Sequence, residues 1–355
     1  MTYAVARNSR RIISALIGRT RRRTGYNAVL GVLPRRVHRG RGRAPGGGDV
    51  VRAAGDRGVH AAGLEEDESP RPSFDTDLAI NWVFVVDTMN FSFWPDREDK
   101  QCAVTHRGKT YSGYMALCAA VTRAMDEGVP ITDAAYMASV SEEELGRVLR
   151  SDTPTPMPML AERHRALTEG GAVLLRHGGS LRQFLSHGQG DARRLVQHIV
   201  DNLPSYRDEA TFQGKKIAFY KRAQILVADF WGIMEARGEA SIPNLDYLTM
   251  FADYRVPQAL VHLGALRYSD SLMSTLKQGE LLASGDRREV EIRGCSIWCV
   301  ERIKTELWSL IEQRDGQPSR KINSALIDFY LWPYAKEHSQ DMAHIPIHHT
   351  RCIYY

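Results

Sequence analysis

Three charged side chains stand in apolar or aromatic surroundings, where a charge is costly unless it caps a helix, pairs with another charge or takes part in chemistry. In "TMFADYRVPQALVHLGALRYSD" the carboxylate of Asp253 sits between Phe251 and Tyr254, just ahead of an apolar helix. A helix beginning at Tyr254 would place Pro257 at its fourth position and cost the first intrahelical bond. Proline favours the first position, so the spacing predicts a helix from Pro257 with Asp253 in the loop before it. Capping, an ion pair with Arg255 and a reactive role all stay open for Asp253. In "INSALIDFYLWPYA", Asn323 is placed to cap a helix that carries Asp328 among Leu326, Phe329, Tyr330 and Trp332. A solvated face is the default for that carboxylate, burial beside a cation the alternative. Pro333 is expected to kink or end the same helix. In "AFYKRAQILVAD", Lys221 could serve as a point charge for a phosphate, although a surface pair of Lys221 and Arg222 is the default. Phe91, Phe93 and Trp94 in "DTMNFSFW" offer flat faces for a base, with core packing expected for at least two of them. Together these residues describe an acidic, aromatic pocket without naming its substrate.

Other chemistries find little support. Cys295 and Cys299 are four apart with no second ligand pair nearby, and adjacent His348 and His349 point apart, so no metal site is expected. The glycine run Gly46–Gly48 follows no strand, which disfavours a phosphate-cradling loop. No G-x-S-x-G stretch presents a serine nucleophile.

The elements that must position these residues are mostly helical. "SEEELGRVLR" opens with a capping box from Ser141 to Glu144. "DARRLVQHIVDNLP", "KIAFYKRAQILVADFWGIMEARG" and "GCSIWCVERIKTELWSLIEQ" carry apolar residues at helical spacing, the last through Trp298, Ile303, Leu307 and Leu310. "INWVFVVD" reads equally as a strand or a buried helix. "KQCAVTHRGKTYSG" has a hairpin turn at Arg107, Gly108 and Lys109. The fold class expected is mainly α with a possible small β element.

Over 355 residues, 43% of them hydrophobic, the chain can bury a sizeable core. Its net charge of +5 is unevenly placed. Met1 to Gly48 holds twelve arginines and no acid; removing those twelve leaves 35 basic against 42 acidic residues, a net of −7. An acidic body is a poor nucleic-acid surface, so no direct nucleic-acid partner is expected. Residues 1–75, Arg- and Gly-rich and then acidic and Pro/Ser-rich, read as a disordered or targeting-like region ahead of a helical domain at 76–355. Five scattered cysteines and the lack of a roughly 20-residue apolar span suggest a cytoplasmic protein off the membrane, with mitochondrial targeting as the alternative.

Several of these stretches resemble one family. "INWVFVVDTMNFSFW", "RGKTYSGYMALCAAV", "SYRDEATFQGKKIAFYKRAQILVAD", "LTMFADYRVPQ", "HLGALRYSD", "GDRREVEIRGCSIWCVE" and the terminal "TRCIYY" are similar, in consistent order from about Ala79 to Tyr355, to the queuosine salvage proteins, which are queuosine 5′-phosphate N-glycosylases. The resemblance implies a helical fold akin to helix-hairpin-helix DNA glycosylases, turned to a free nucleotide. It implies hydrolysis of queuosine 5′-phosphate to queuine and ribose 5-phosphate without metal or cofactor; a monomer acting on this small-molecule substrate is expected. It implies Asp253 as the catalytic carboxylate, Phe251 as its base-contacting neighbour, Asp328 and Phe329 beside the bound base, and Lys221 on the ribose-phosphate side. Two departures stand out: Pro333 occupies an aspartate position of similar proteins, and residues before Asp75 do not match the usual N-terminal part. A DNA-base glycosylase and a non-catalytic helical interaction protein are the alternatives.

Overall fold

The computed structural model describes residues 76–95, 100–188, 190–236, 242–315 and 322–355. The segment up to residue 75, and with it the expectations of disorder and targeting, lies outside the described residues.

The ambiguous "INWVFVVD" forms helix α1 (Thr76–Thr88). Ile80, Trp82, Phe84, Val85 and Val86 are all buried, so the run is covered on every side and shows no period to read. The expected hairpin pairs β1 (Ala103–His106) with β2 (Lys109–Ser112). Its turn residues Arg107 and Gly108 both have positive φ, 49° and 78°, the backbone that a two-residue hairpin loop favours. Then follow α2 (Tyr114–Asp126), α3 (Ala134–Ser139), α4 (Glu142–Val148), α5 (Leu160–Arg176), α6 (Leu181–His187) and α7 (Ala192–Asn202). The capping box at α4 is present: the Glu144 amide donates to Ser141 Oγ at 3.2 Å, and the Ser141 amide to Glu144 Oε2 at 3.0 Å.

A second hairpin, β3 (Glu209–Phe212) with β4 (Lys215–Ala218), was not expected. The helix read from "KIAFYKRAQ" onward begins only at Lys221, as α8 (Lys221–Ala236). Gln213 and Gly214 turn the hairpin with φ of 50° and 74°, and Tyr220 at 48° separates it from the helix. Strands of four residues are too short for alternation to compete with the longer helical period that follows.

The last third holds α9 (Arg255–His262), α10 (Asp270–Lys277), α11 (Arg287–Asp315) and α12 (Ser324–Glu337). Helix α12 does not end at Pro333 but runs through it. Ile327, Asp328, Leu331 and Ala335 are buried on both sides of the proline, and this packing offsets its cost of about 3 kcal/mol. On α11, Ile303 and Leu307 enter the core as the period predicts, but Trp298 is 61% exposed. Among the described residues the structure is mainly helical, with twelve α-helices and two small antiparallel sheets, and no helix is long and apolar enough to cross a membrane.

Among the described residues two large cores dominate, beside two small clusters, one around Trp94, Tyr254, Cys352 and Tyr355 and one around Ala259, Ala335 and Met342. Of the large cores, one gathers α1 to α8 with Ala325 of α12; the other gathers Phe219, α9 to α11 and, from α12, Ile327 and Leu331.

Candidate active site

Residues 248–253 run along the seam between the two cores. Leu248 and Phe251 pack into the first core, Met250 and Ala252 into the second, so the segment is held from both sides. Gln224 on α8 ties it down: its Oε1 accepts from the Thr249 amide at 2.8 Å, while its Nε2 donates to the Phe219 carbonyl at 2.8 Å. Asp253 emerges at the end of this anchored stretch and is only 7% exposed.

Asp253 lies in the loop, one residue before the N-cap residue Tyr254, and from there its carboxylate caps the first amides of α9. Asp253 Oδ1 accepts from the amides of Arg255 at 2.8 Å and Val256 at 2.9 Å. The helix begins at Arg255, two residues before the expected Pro257. Pro257 is thus the third helical residue, where an amide has no intrahelical acceptor, and its missing N–H forfeits nothing. Arg255 does not pair with Asp253; its Nη1 donates to Gln258 Oε1 at 3.2 Å. Capping occupies one oxygen, and among the described residues no donor reaches Oδ2.

Asp328 is buried, 5% exposed, and does not lie on a solvated face. Asn323 caps its helix as expected, accepting from the Leu326 amide at 2.9 Å. Asp328 Oδ2 accepts from the Phe251 amide at 2.9 Å, which joins α12 to the seam segment one residue from Ala252. Burial, and then the charge of Asp253, hold the Asp328 carboxyl well above the usual range. Lys221 is no surface residue either: it is 6% exposed, and Arg222 beside it is buried too. Burial pushes the Lys221 ammonium down, opposed by the charges of Asp253 and Asp328. Its amide donates to Asp208 Oδ2 at 3.1 Å, but no carboxylate of the described residues lies within ion-pair distance of its ammonium. Two carboxylates and one ammonium thus act on each other in a desolvated region fed by α8, α12 and the seam.

Aromatic rings flank this group. Phe251 and Phe329 meet edge to face with centroids 5.8 Å apart. Phe91 and Trp94 are buried and Phe93 packs against the first core, so the "FSFW" stretch serves mainly as structure. Cys299 is buried and Cys295 packs on the second core, and no cluster of metal-ligating side chains occurs among the described residues.

The family model described as queuosine salvage protein matches residues 71–355. The chain belongs to the queuosine salvage protein family. A mouse relative is 55% identical over 280 residues, covering 79% of this chain and 82% of its own. A bovine relative is 53% identical over 285 residues, 80% of this chain and 84% of its own. One from Schizosaccharomyces pombe is 37% identical over 296 residues, 78% and 83% respectively. All three bear the name queuosine 5′-phosphate N-glycosylase/hydrolase. In this member of the queuosine salvage family, Pro333 lies on α12 one turn beyond Phe329 and is partly exposed. Sequence reasoning singled out Asp253, Asp328 and Lys221 but passed over Asp208, Gln224, Glu289 and Arg293. The one signal for those was the four-residue spacing of Glu289 and Arg293, which reads as an ordinary helix ion pair.

Proposed function

We propose that this chain hydrolyses the N-glycosidic bond of queuosine 5′-phosphate, releasing queuine for salvage into tRNA modification and leaving ribose 5-phosphate. The observation that carries the reading is the buried meeting of Asp253, Asp328 and Lys221 at the seam of two cores. The names of the relatives supply the substrate class.

Breaking an N-glycosidic bond builds positive charge on the ribose ring. A carboxylate fixed beneath C1′ therefore stabilises the transition state more than the neutral sugar. At about 4 Å and an effective dielectric of about 20, the attraction is about 4 kcal/mol, or roughly a thousandfold in rate. Asp253 suits this role, because two backbone amides hold Oδ1 still and leave Oδ2 for the sugar. Water is the second reactant: its hydroxyl ends on C1′, and its proton goes to the departing base. Queuine is a 7-deazapurine and lacks the ring nitrogen that is commonly protonated when a purine leaves, so the demand on Asp253 is greater.

Queuine's side chain carries a secondary ammonium, for which Asp328 is the partner. Its arrival compensates the negative charge that burial makes costly, so binding draws Asp328 toward its ionised form. Phe251 and Phe329 supply apolar surface for the base. Lys221 takes the ribose-phosphate side, where a dianion would give its ammonium the partner that the described protein residues do not. We assign the reaction to residues 76–355, as a monomer acting on a free nucleotide.

The test is incubation of purified protein with queuosine 5′-phosphate and chromatography for queuine. Release is expected from the wild type. Asp253→Asn should lower turnover by about a thousandfold without unfolding the chain, because the amide oxygen of the new side chain can still accept from Arg255 and Val256. A wild-type protein that releases no queuine, or an Asp253→Asn variant of undiminished activity, refutes the reading.

A further inference from the structure

Arg293 on α11 is wholly buried, and all three of its nitrogens are committed. Nε donates to the Ala252 carbonyl at 3.0 Å, so the guanidinium grips the residue between Phe251 and Asp253. Nη1 donates to Asp208 Oδ1 at 2.9 Å and to Glu289 Oε1 at 3.2 Å, and Nη2 to Asp208 Oδ2 at 2.5 Å. The same Asp208 oxygen accepts from the Lys221 amide. One ion pair thus connects the backbone ahead of Asp253 to the backbone of Lys221.

The surroundings keep it rigid. The guanidinium lies 4.0 Å from the Phe219 ring centroid and 4.2 Å from that of Tyr355, and the Tyr355 hydroxyl donates to Glu289 Oε1 at 2.8 Å. The Asp208 carbonyl accepts from the Phe219 amide at 2.9 Å, closing the base of the β3–β4 hairpin against the same group. A buried ion pair is seldom worth more to stability than well-packed apolar side chains of the same volume. What it adds is direction: a planar fork with three committed nitrogens fixes position and angle together.

We propose that Arg293, with Asp208, is a positioning residue that sets the Asp253 carboxylate relative to Lys221. This rests on the function proposed above, in which those two side chains face opposite ends of the ribose phosphate. Arg293 touches neither sugar nor base; it acts through the Ala252 carbonyl. Misplacing a reacting group by about 1 Å can cost about a hundredfold in rate. Because Asp253 works chiefly in the transition state, the loss should fall on kcat.

The discriminating variant is Arg293→Lys, which keeps the positive charge but cannot make the fork and the carbonyl bond together. Release of queuine from queuosine 5′-phosphate should fall tenfold to a hundredfold in kcat with KM changed by less than about threefold. Amide exchange at Arg255 and Val256, whose protons are held by Asp253, should quicken in the folded variant. Should that variant not fold, Tyr355→Phe removes only the hydroxyl that braces Glu289 and meets His348 Nε2, and a threefold to tenfold fall in kcat is expected with the same split. Loss of thermal stability alone, with kcat intact, overturns the proposal, as does a loss carried entirely by KM. A wild-type chain without activity would overturn the function itself and the positioning role with it. An active wild type with an unaffected folded variant would overturn the positioning role alone.

Discussion

Asp328 and Lys221 are the residues whose burial has the most direct consequences. The Asp328 carboxyl is raised by burial first and by Asp253 second, so the folded chain holds a proton that the unfolded chain releases. The stability linked to that proton is fully present below the usual carboxylate pKa and is lost as pH rises through the raised one. Asp328→Asn keeps an acceptor for the Phe251 amide and removes the titration. Thermal unfolding should find this variant more stable than the wild type by about 1–3 kcal/mol near pH 8, the gap closing toward pH 4. Its affinity for queuosine 5′-phosphate should fall, because the ammonium loses its counter-charge. Lys221→Met replaces a buried ammonium with an apolar side chain of similar length. We expect unchanged or higher thermal stability, together with a rise in KM for queuosine 5′-phosphate of about tenfold or more. For the unphosphorylated nucleoside KM should hardly move; an equal rise for both would remove Lys221 from the phosphate side. The types of these residues were plain in the sequence, but their burial was not, since Lys221 and Asp328 both read as surface positions by default.

Helices and hairpins set where these side chains can stand. Helix α5 crosses α3 closely enough that a Cβ on Gly171 would lie 2.7 Å from Met137 Cβ and closer still to the Ala138 amide. The second contact is backbone, which cannot swing aside as a flexible side chain would. Gly171→Ala should therefore destabilise by about 1–3 kcal/mol despite the better helix propensity of alanine, as chemical denaturation can measure. Elements with a local cause were legible: the Ser141 capping box, the Arg107–Gly108 turn and the Asn323 cap all depend on residues within a few positions of each other. Elements whose shape depends on neighbours were not. Helix α12 passes through Pro333 because its other residues are packed, and the β3–β4 hairpin is held by Asp208, which precedes it, and by Arg293, 85 positions from Asp208.

Across the whole molecule, burial of charge makes stability depend on pH from the acid side as well. His348 is buried with its Nε2 3.1 Å from the Tyr355 hydroxyl, and burial, Arg293 and His349 drive its pKa down from 6.5 to about 3. The folded chain keeps this imidazole neutral while the unfolded chain protonates it. The stability it contributes is present above pH 6.5 and is lost progressively as pH falls toward 3. Thermal unfolding across that window should show a clear loss of stability, and His348→Asn should flatten it. The sequence by itself determined the helical class, the first hairpin and the three charged residues on which the proposed chemistry rests, because these follow from local periodicity, turn chemistry and residue type; the family resemblance rested instead on long motifs met in a consistent order. Only the tertiary structure decided that Asp253 both caps a helix and keeps an oxygen that no donor among the described residues reaches, that Lys221 and Asp328 are desolvated beside it, and that Arg293 grips the backbone next to it. The physical reason is that desolvation and long-range pairing are set by which surfaces meet when two cores close on one seam, and no short stretch of chain records that meeting.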